Sequence, residues 1–307
     1  MAQSVKRRKA SQRSVHKQVN LGQQFMHYAR LMRLDKPIGL YLLLWPMLWA
    51  LWIASDGQPT ASVFAILCLG VLVTRSAGCV INDIADRKLD AVVKRTKQRP
   101  LAAGAVSTAE ALVLFIGLGV IAIGLALALN KLVQMLALAA TSLLIIYPFT
   151  KRFLSVPQLV LGVAFGWAVP MAYAAQTGEL NPVCWLIFAI AVIWAVIYDT
   201  LYAMVDRDDD LEAGVRSTAI LFGEADRFVV AGLQTCMVLG LLMLGARAEL
   251  GGWYIAGIVG AIAFMVYEQW LIRDREREAC FRAFQNNHYI GMTLFIGIAL
   301  DYLFKVS

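Results

Sequence analysis

Charge is scarce in this sequence. Only 16% of its 307 residues are Asp, Glu, Lys or Arg, where a soluble domain carries about 25%. With 60% of the chain hydrophobic, that shortage excludes an ordinary water-soluble fold. Histidine is nearly missing: His16, His27 and His288 stand far apart and make no metal-ligand spacing. None of the five cysteines (Cys68, Cys79, Cys184, Cys236 and Cys280) forms a C-x-x-C pair, and most lie inside apolar blocks. They read as small buried hydrophobes, which argues against zinc and against disulfides. The net charge of +7 does not point to nucleic acid, because Lys and Arg collect between apolar blocks, as membrane orientation requires.

What is present is long apolar runs, such as residues 38–54 and 106–129. Runs of about 17–25 residues match the hydrocarbon thickness of a bilayer. So many runs exclude a lone signal peptide or anchor. The chain is therefore expected to be all-α and polytopic. About nine transmembrane helices are expected, near 38–55, 61–81, 107–128, 132–148, 157–175, 182–201, 228–246, 253–271 and 288–304. Residues 1–24 are polar and basic, with KRRK at 6–9, and read as a disordered tail; residues 25–307 read as one transmembrane domain. The stretch 25–36 has apolar residues near helical spacing with basic residues between them, which suggests a helix lying on the membrane surface. Pro37 then marks a turn into the first span. On this layout nearly all Lys and Arg fall on the side of the N-terminus, and Lys131, Arg247 and Lys305 fall on the other. The N-terminus is thus expected in the cytosol and the C-terminus on the far side.

A weak internal repeat is visible. The second and sixth spans each end in an aspartate cluster followed by a basic segment and a new apolar block: NDIADRKLDAVVKRTKQRPLAAG at 82–104 and YDTLYAMVDRDDDLEAGVRSTAILFG at 198–223. On a helix, Asn82, Asp86 and Asp90 share a face, and Asp83 can reach its edge. Asp199, Tyr202, Asp206 and Asp210 share a face in the second cluster. Like charges at this spacing destabilise a helix and cost desolvation energy near a membrane, so both clusters need a cation. Carboxylate and amide oxygens suit Mg²⁺, which takes one or two carboxylates plus phosphate oxygens. Arg87, Lys94, Arg95, Arg99, Lys151 and Arg152 would then complement a polyanionic ligand. Carboxylates, metal and guanidinium together describe a metal–diphosphate site. Lys97, Asp208, Asp209 and Glu212 read as solvated bystanders. The mixed charges of RDRERE at 273–278 read as a solvated face, and Trp45, Trp49, Trp52 and Trp253 as interface anchors.

These motifs resemble those of the UbiA superfamily of intramembrane prenyltransferases. NDIADRKLD resembles its first motif, N-D-x-x-D-x-x-x-D, and YDTLYAMVDRDDD followed by STAILFG its second. RLMRLDKPIGLYLLLWP (30–46), YPFTKRF (147–153), VLGVAFGWAVPMAYAA (160–175) and REREACFRAF (275–284) extend the resemblance over roughly residues 25–304. It implies nine transmembrane helices around a central cavity open sideways to lipid. It also implies a polyprenyl diphosphate donor, a 4-hydroxybenzoate acceptor and Mg²⁺ as cofactor, in the bacterial inner membrane, with no obligatory protein partner. The implied metal set is Asn82, Asp86 and Asp90 with Asp206 and Asp210. Arg87 and Arg152 would contact diphosphate or the aromatic carboxylate, and Asp83 or Asp199 would polarise the phenol. Homogentisate, a naphthoate or haem remain alternative acceptors at this stage. A cation-coupled transporter fits less well, because its acids would lie near mid-membrane on broken helices, whereas these lie at span ends.

Overall fold

The computed structural model describes residues 21–91, 96–150, 154, 156–214 and 216–305. The basic segment 1–20 lies outside the described residues, as do Lys94, Arg95, Lys151 and Arg152. Among the described residues the structure is helical and has no strand. The helices are α1 (Leu21–Leu31), α2 (Ile38–Ala54), α3 (Ala61–Asp90), α4 (Thr108–Leu127), α5 (Lys131–Thr150) and α6 (Pro157–Gly166). They continue with α7 (Ala168–Thr177), α8 (Pro182–Ala213), α9 (Thr218–Phe222), α10 (Asp226–Arg247), α11 (Gly252–Leu271) and α12 (Arg277–Leu303).

Each of the expected spans falls on helix. Among the described residues seven helical segments are long and apolar enough to cross a membrane, and the apolar α2 is shorter, at 17 residues. With so many apolar crossings the chain is an integral membrane protein. The fifth expected span is broken in two: α6 and α7 meet at Trp167, whose indole Nε1 donates to the Leu136 carbonyl at 3.0 Å. The sixth runs past its apolar stretch to Ala213, so the second aspartate cluster stays helical until Gly214 ends it with φ 66°. The last helix starts at Arg277, well before the expected residue 288, because the half-polar stretch 277–287 is helical too.

Where a surface helix is expected over 25–36, α1 spans Leu21–Leu31. One of its faces makes the contacts that hold it. Leu31 is fully buried with Val80, Leu101, Val106 and Ala111. On the same face, one and two turns earlier, Tyr28 OH and Gln24 Nε2 both donate to Glu110 Oε1, at 2.9 and 3.0 Å. Glu110 also closes a reciprocal cap with Ser107 at the start of α4. The surface helix is thereby fastened to α4 beside the polar end of α3.

The core sits between α2, α8 and α12. The Trp49 indole donates to the Gly291 carbonyl at 3.1 Å, and that of Trp194 to Asn287 Oδ1 at 2.8 Å. Both are buried, so Trp49 is not the interface anchor expected, while Trp45 and Trp52 are half-buried and Trp253 is exposed. Gly291 is required here: a Cβ would stand 2.5 Å from Trp45 and 2.6 Å from Trp194. Among the described residues, several buried polar groups elsewhere are paired in this way. Asp301 caps the start of α11, accepting from Gly251 N at 2.7 Å. Glu268 accepts from Gln234 and Asn286, each at 2.9 Å.

Candidate active site

α3 and α8 bring both aspartate clusters to one end of the bundle. Their regular 3.6-residue turn turns sequence spacing into a shared face. Asn82, Asp86, Asp90, Asp199, Tyr202, Asp206 and Asp210 all line a single polar cavity of about 200 Å³. Asp86, Asp90 and Asp206 are buried, at 4%, 5% and 9% exposure. Beside this cavity lies a second of about 970 Å³, walled largely by apolar residues of α2 to α7. Asn82, Arg99, Tyr147, Asp199 and Tyr202 line both cavities. They mark the junction where a polar chamber meets an apolar one.

Cations reach the site from sequence-distant places. Asp83 is 1% exposed and accepts from Arg33 Nη2 at 2.9 and 3.1 Å. Arg99 Nη1 bridges Asp83 Oδ1, at 3.1 Å, and Asp90 Oδ2, at 2.8 Å. A carboxylate buried this deeply requires such pairing. Arg33 takes a left-handed backbone, φ 59°, just after α1 to make the contact. Thr96 Oγ1 donates to the Asp90 carbonyl at 3.1 Å and covers the end of α3. At the second cluster Arg277 Nη2 lies 2.6 Å from Asp209 Oδ2 and 3.5 Å from Asp206 Oδ1.

Three expectations are corrected here. Arg87 does not face the cavity: it is exposed and its Nη1 donates to Thr108 Oγ1 at 2.8 Å. It follows Asp86 by one residue, and about 100° of helix rotation turns it toward α4. Asp209 is no bystander: it lines the polar cavity and pairs with Arg277. The segment 273–278 is not merely a solvated face. Arg275 clamps Asp226, with Nη2 2.9 Å from Oδ1, and the Asp226 carboxylate raises the arginine's pKa. Asp208 is exposed, as expected.

The residue set suits a diphosphate held through a divalent cation. The donors are all hard oxygens, the ligand type Mg²⁺ takes. Among the described residues no three acidic, His or Cys side chains close on one point. Ser217 Oγ, buried against the same cavity, has no hydrogen-bond partner among the described residues. Buried hydroxyls rarely stay so, and a phosphate oxygen would satisfy it.

Residues 43–296 match the UbiA prenyltransferase family. The chain belongs to this family. Its relatives include the 4-hydroxybenzoate octaprenyltransferase of Alkalilimnicola ehrlichii, 56% identical over 274 residues, 89% of this chain and 94% of the relative. The enzyme of the same name from Marinobacter nauticus is 53% identical over 278 residues, 90% and 95% of the two chains. The fold is that of solved UbiA homologues. One from Aeropyrum pernix superposes with TM-score 0.75 at 23% identity, over 86% of this chain and 97% of that one. One from Archaeoglobus fulgidus, bound to GPP and Mg²⁺, superposes with TM-score 0.71 at 18% identity, over 90% and 99%. This member of the family therefore carries its two aspartate motifs on α3 and α8.

Proposed function

We propose that this UbiA-family enzyme transfers a polyprenyl group from its diphosphate to the ring carbon of 4-hydroxybenzoate ortho to the hydroxyl. The observation that carries this reading is the junction of the two cavities. A diphosphate fits the polar chamber and an isoprenoid chain fits the apolar one, so the scissile C–O bond falls between them, at Asn82, Arg99, Tyr147, Asp199 and Tyr202. The names of the relatives support 4-hydroxybenzoate as acceptor, and the Archaeoglobus homologue's ligands support a prenyl diphosphate with Mg²⁺.

Mg²⁺ held by Asn82, Asp86, Asp90, Asp206 and Asp210 would supply Lewis-acid stabilisation of the departing diphosphate. The chain's own residues do the rest. Arg99 and Ser217 face the diphosphate, whose ester oxygen keeps the electron pair as the C–O bond breaks. The allylic carbon then bonds to the ring, and the ring proton leaves to restore aromaticity. Tyr147, Tyr198 and Phe165 wall the apolar side and keep water from the cation. Asp199 is the better phenol partner: it lines both cavities, whereas Asp83 is held by two arginines.

Arg75 anchors the acceptor's carboxylate. It lies deep in the large cavity, its guanidinium 5.6 Å from the Phe165 ring centre and donating to Cys79 Sγ at 2.9 Å. It stands seven residues before Asn82 on the same helix face, about 10 Å along the axis, which leaves room for one aromatic ring. The polar chamber faces the cytosol. Arg33, Arg99, Arg216, Arg275 and Arg277 gather at its end of the bundle, and the opposite ends carry Lys131, Arg247 and Lys305. Product masses from membranes given a labelled polyprenyl diphosphate and a panel of aromatic acceptors test the reading. Prenylated 4-hydroxybenzoate is expected; product from homogentisate or a naphthoate alone would overturn the acceptor.

A further inference from the structure

The linker between α11 and α12 is built onto the second aspartate cluster, which a topology loop does not require. Two contacts pin it. Arg275 grips the fully buried Asp226, with Nε 3.0 Å and Nη2 2.9 Å from Oδ1. Arg227 Nη1, at the start of α10, donates to the Arg273 carbonyl at 2.7 Å. So fixed, the linker delivers Arg277 to Asp209 and Asp206, at 2.6 and 3.5 Å. The Arg277 side chain is 50% exposed while those of Asp206 and Asp209 are 12% and 20% exposed. The cation can therefore turn while the carboxylates stay in place.

We propose that Arg277 is a donor-positioning residue: anchored on Asp209, it competes with divalent metal for Asp206 and gives its guanidinium to the diphosphate that the metal holds. This rests on the metal–diphosphate reading of the site. A guanidinium fork pairs as well with a phosphate as with a carboxylate. Metal entering at Asp206 takes over the carboxylate charge, and the diphosphate brings new acceptor oxygens within the reach of the same side chain. The exchange keeps charge balanced at each stage without moving a helix.

The test is Mn²⁺ binding to the detergent-solubilised full chain without donor, read by electron paramagnetic resonance, alongside steady-state kinetics. Arg277→Gln removes a positive charge from beside the acids, so Mn²⁺ should bind about three- to tenfold tighter after allowance for screening. In the same variant the KM for polyprenyl diphosphate should rise about tenfold, through loss of one charged hydrogen-bonding group, with the KM for 4-hydroxybenzoate unchanged. Arg277→Lys, which keeps the charge without the fork, should bind Mn²⁺ like the unaltered chain and raise the donor KM less. A merely structural contact would loosen the acids and weaken Mn²⁺ binding on its removal. Unchanged or weaker Mn²⁺ binding in Arg277→Gln, or an unchanged donor KM, overturns the proposal. Asp206→Asn separates the two levels: if it binds Mn²⁺ as well as the unaltered chain, the metal site itself is wrongly placed. If Asp206→Asn loses Mn²⁺ and Arg277→Gln is silent, only the role of Arg277 falls.

Discussion

Arg99 shows what single residues contribute. It joins Asp83 to Asp90, so it neutralises two buried acids two helical turns apart. Arg99→Gln should lower stability by about 2–3 kcal/mol, below the 3–5 kcal/mol of a fully buried pair because Arg99 keeps some exposure. Thermal unfolding in detergent measures it. Arg87→Ala, by contrast, should leave the rate within about twofold, as surface contacts usually contribute under 1 kcal/mol; a loss of a hundredfold would return Arg87 to the diphosphate. Gly39 gives a third prediction. A Cβ there would collide with the Arg75 guanidinium. Gly39→Ala should raise the KM for the aromatic acceptor and spare that for the donor, in steady-state assays varying each in turn. Helical spacing made the acid faces legible in the sequence, because four-residue steps keep Asn82, Asp86 and Asp90 together on any regular helix. Arg99 was among the cations expected there, but the pairing of cations with particular acids was not legible. Arg33, Arg99 and Arg277 meet the acids only through the packing of separate helices and linkers, and no local spacing encodes that.

Elements show the same division. Long apolar runs on a polytopic chain can only be helices, since lipid offers the backbone no partners, so each expected span was found on helix. Polar helical extensions were harder to place. α8 reaches Ala213 and α12 starts at Arg277, because tertiary contacts such as Arg277 to Asp209 hold turns that hydropathy reads as loop. Close packing of α11 on α12 follows from Gly257 and Gly297. A Cβ at Gly257 would stand 2.9 Å from the Thr293 carbonyl oxygen. Gly257→Val should cost about 1–3 kcal/mol by overpacking. At the neighbouring polar cluster, Glu268→Leu would leave Gln234 and Asn286 without their acceptor, at about 1–3 kcal/mol for each stranded amide. Thermal unfolding measures both, and catalysis by the folded fraction should persist.

At the scale of the whole molecule, the bundle holds two chambers of opposite character against each other. The acids and arginines gather at one end of α3 and α8, while the larger chamber runs inward between apolar helices. On the proposed mechanism, that arrangement would stabilise a diphosphate with charge and shelter a carbocation from water within a few residues. It also divides the labour of the two motifs: Asn82 and Asp199 stand at the junction, and Asp86, Asp90, Asp206 and Asp210 belong to the polar chamber alone. The most direct test is transfer of a labelled polyprenyl group to 4-hydroxybenzoate by the purified chain, with Mg²⁺ and after chelation, compared with Asp86→Asn and Asp206→Asn. The account predicts transfer that stops on chelation, returns with Mg²⁺ and falls by about 10²–10³ or more in each variant, the loss expected when an electrostatic contact to the leaving group is removed. Full activity in the chelated enzyme, or in either variant, would contradict it.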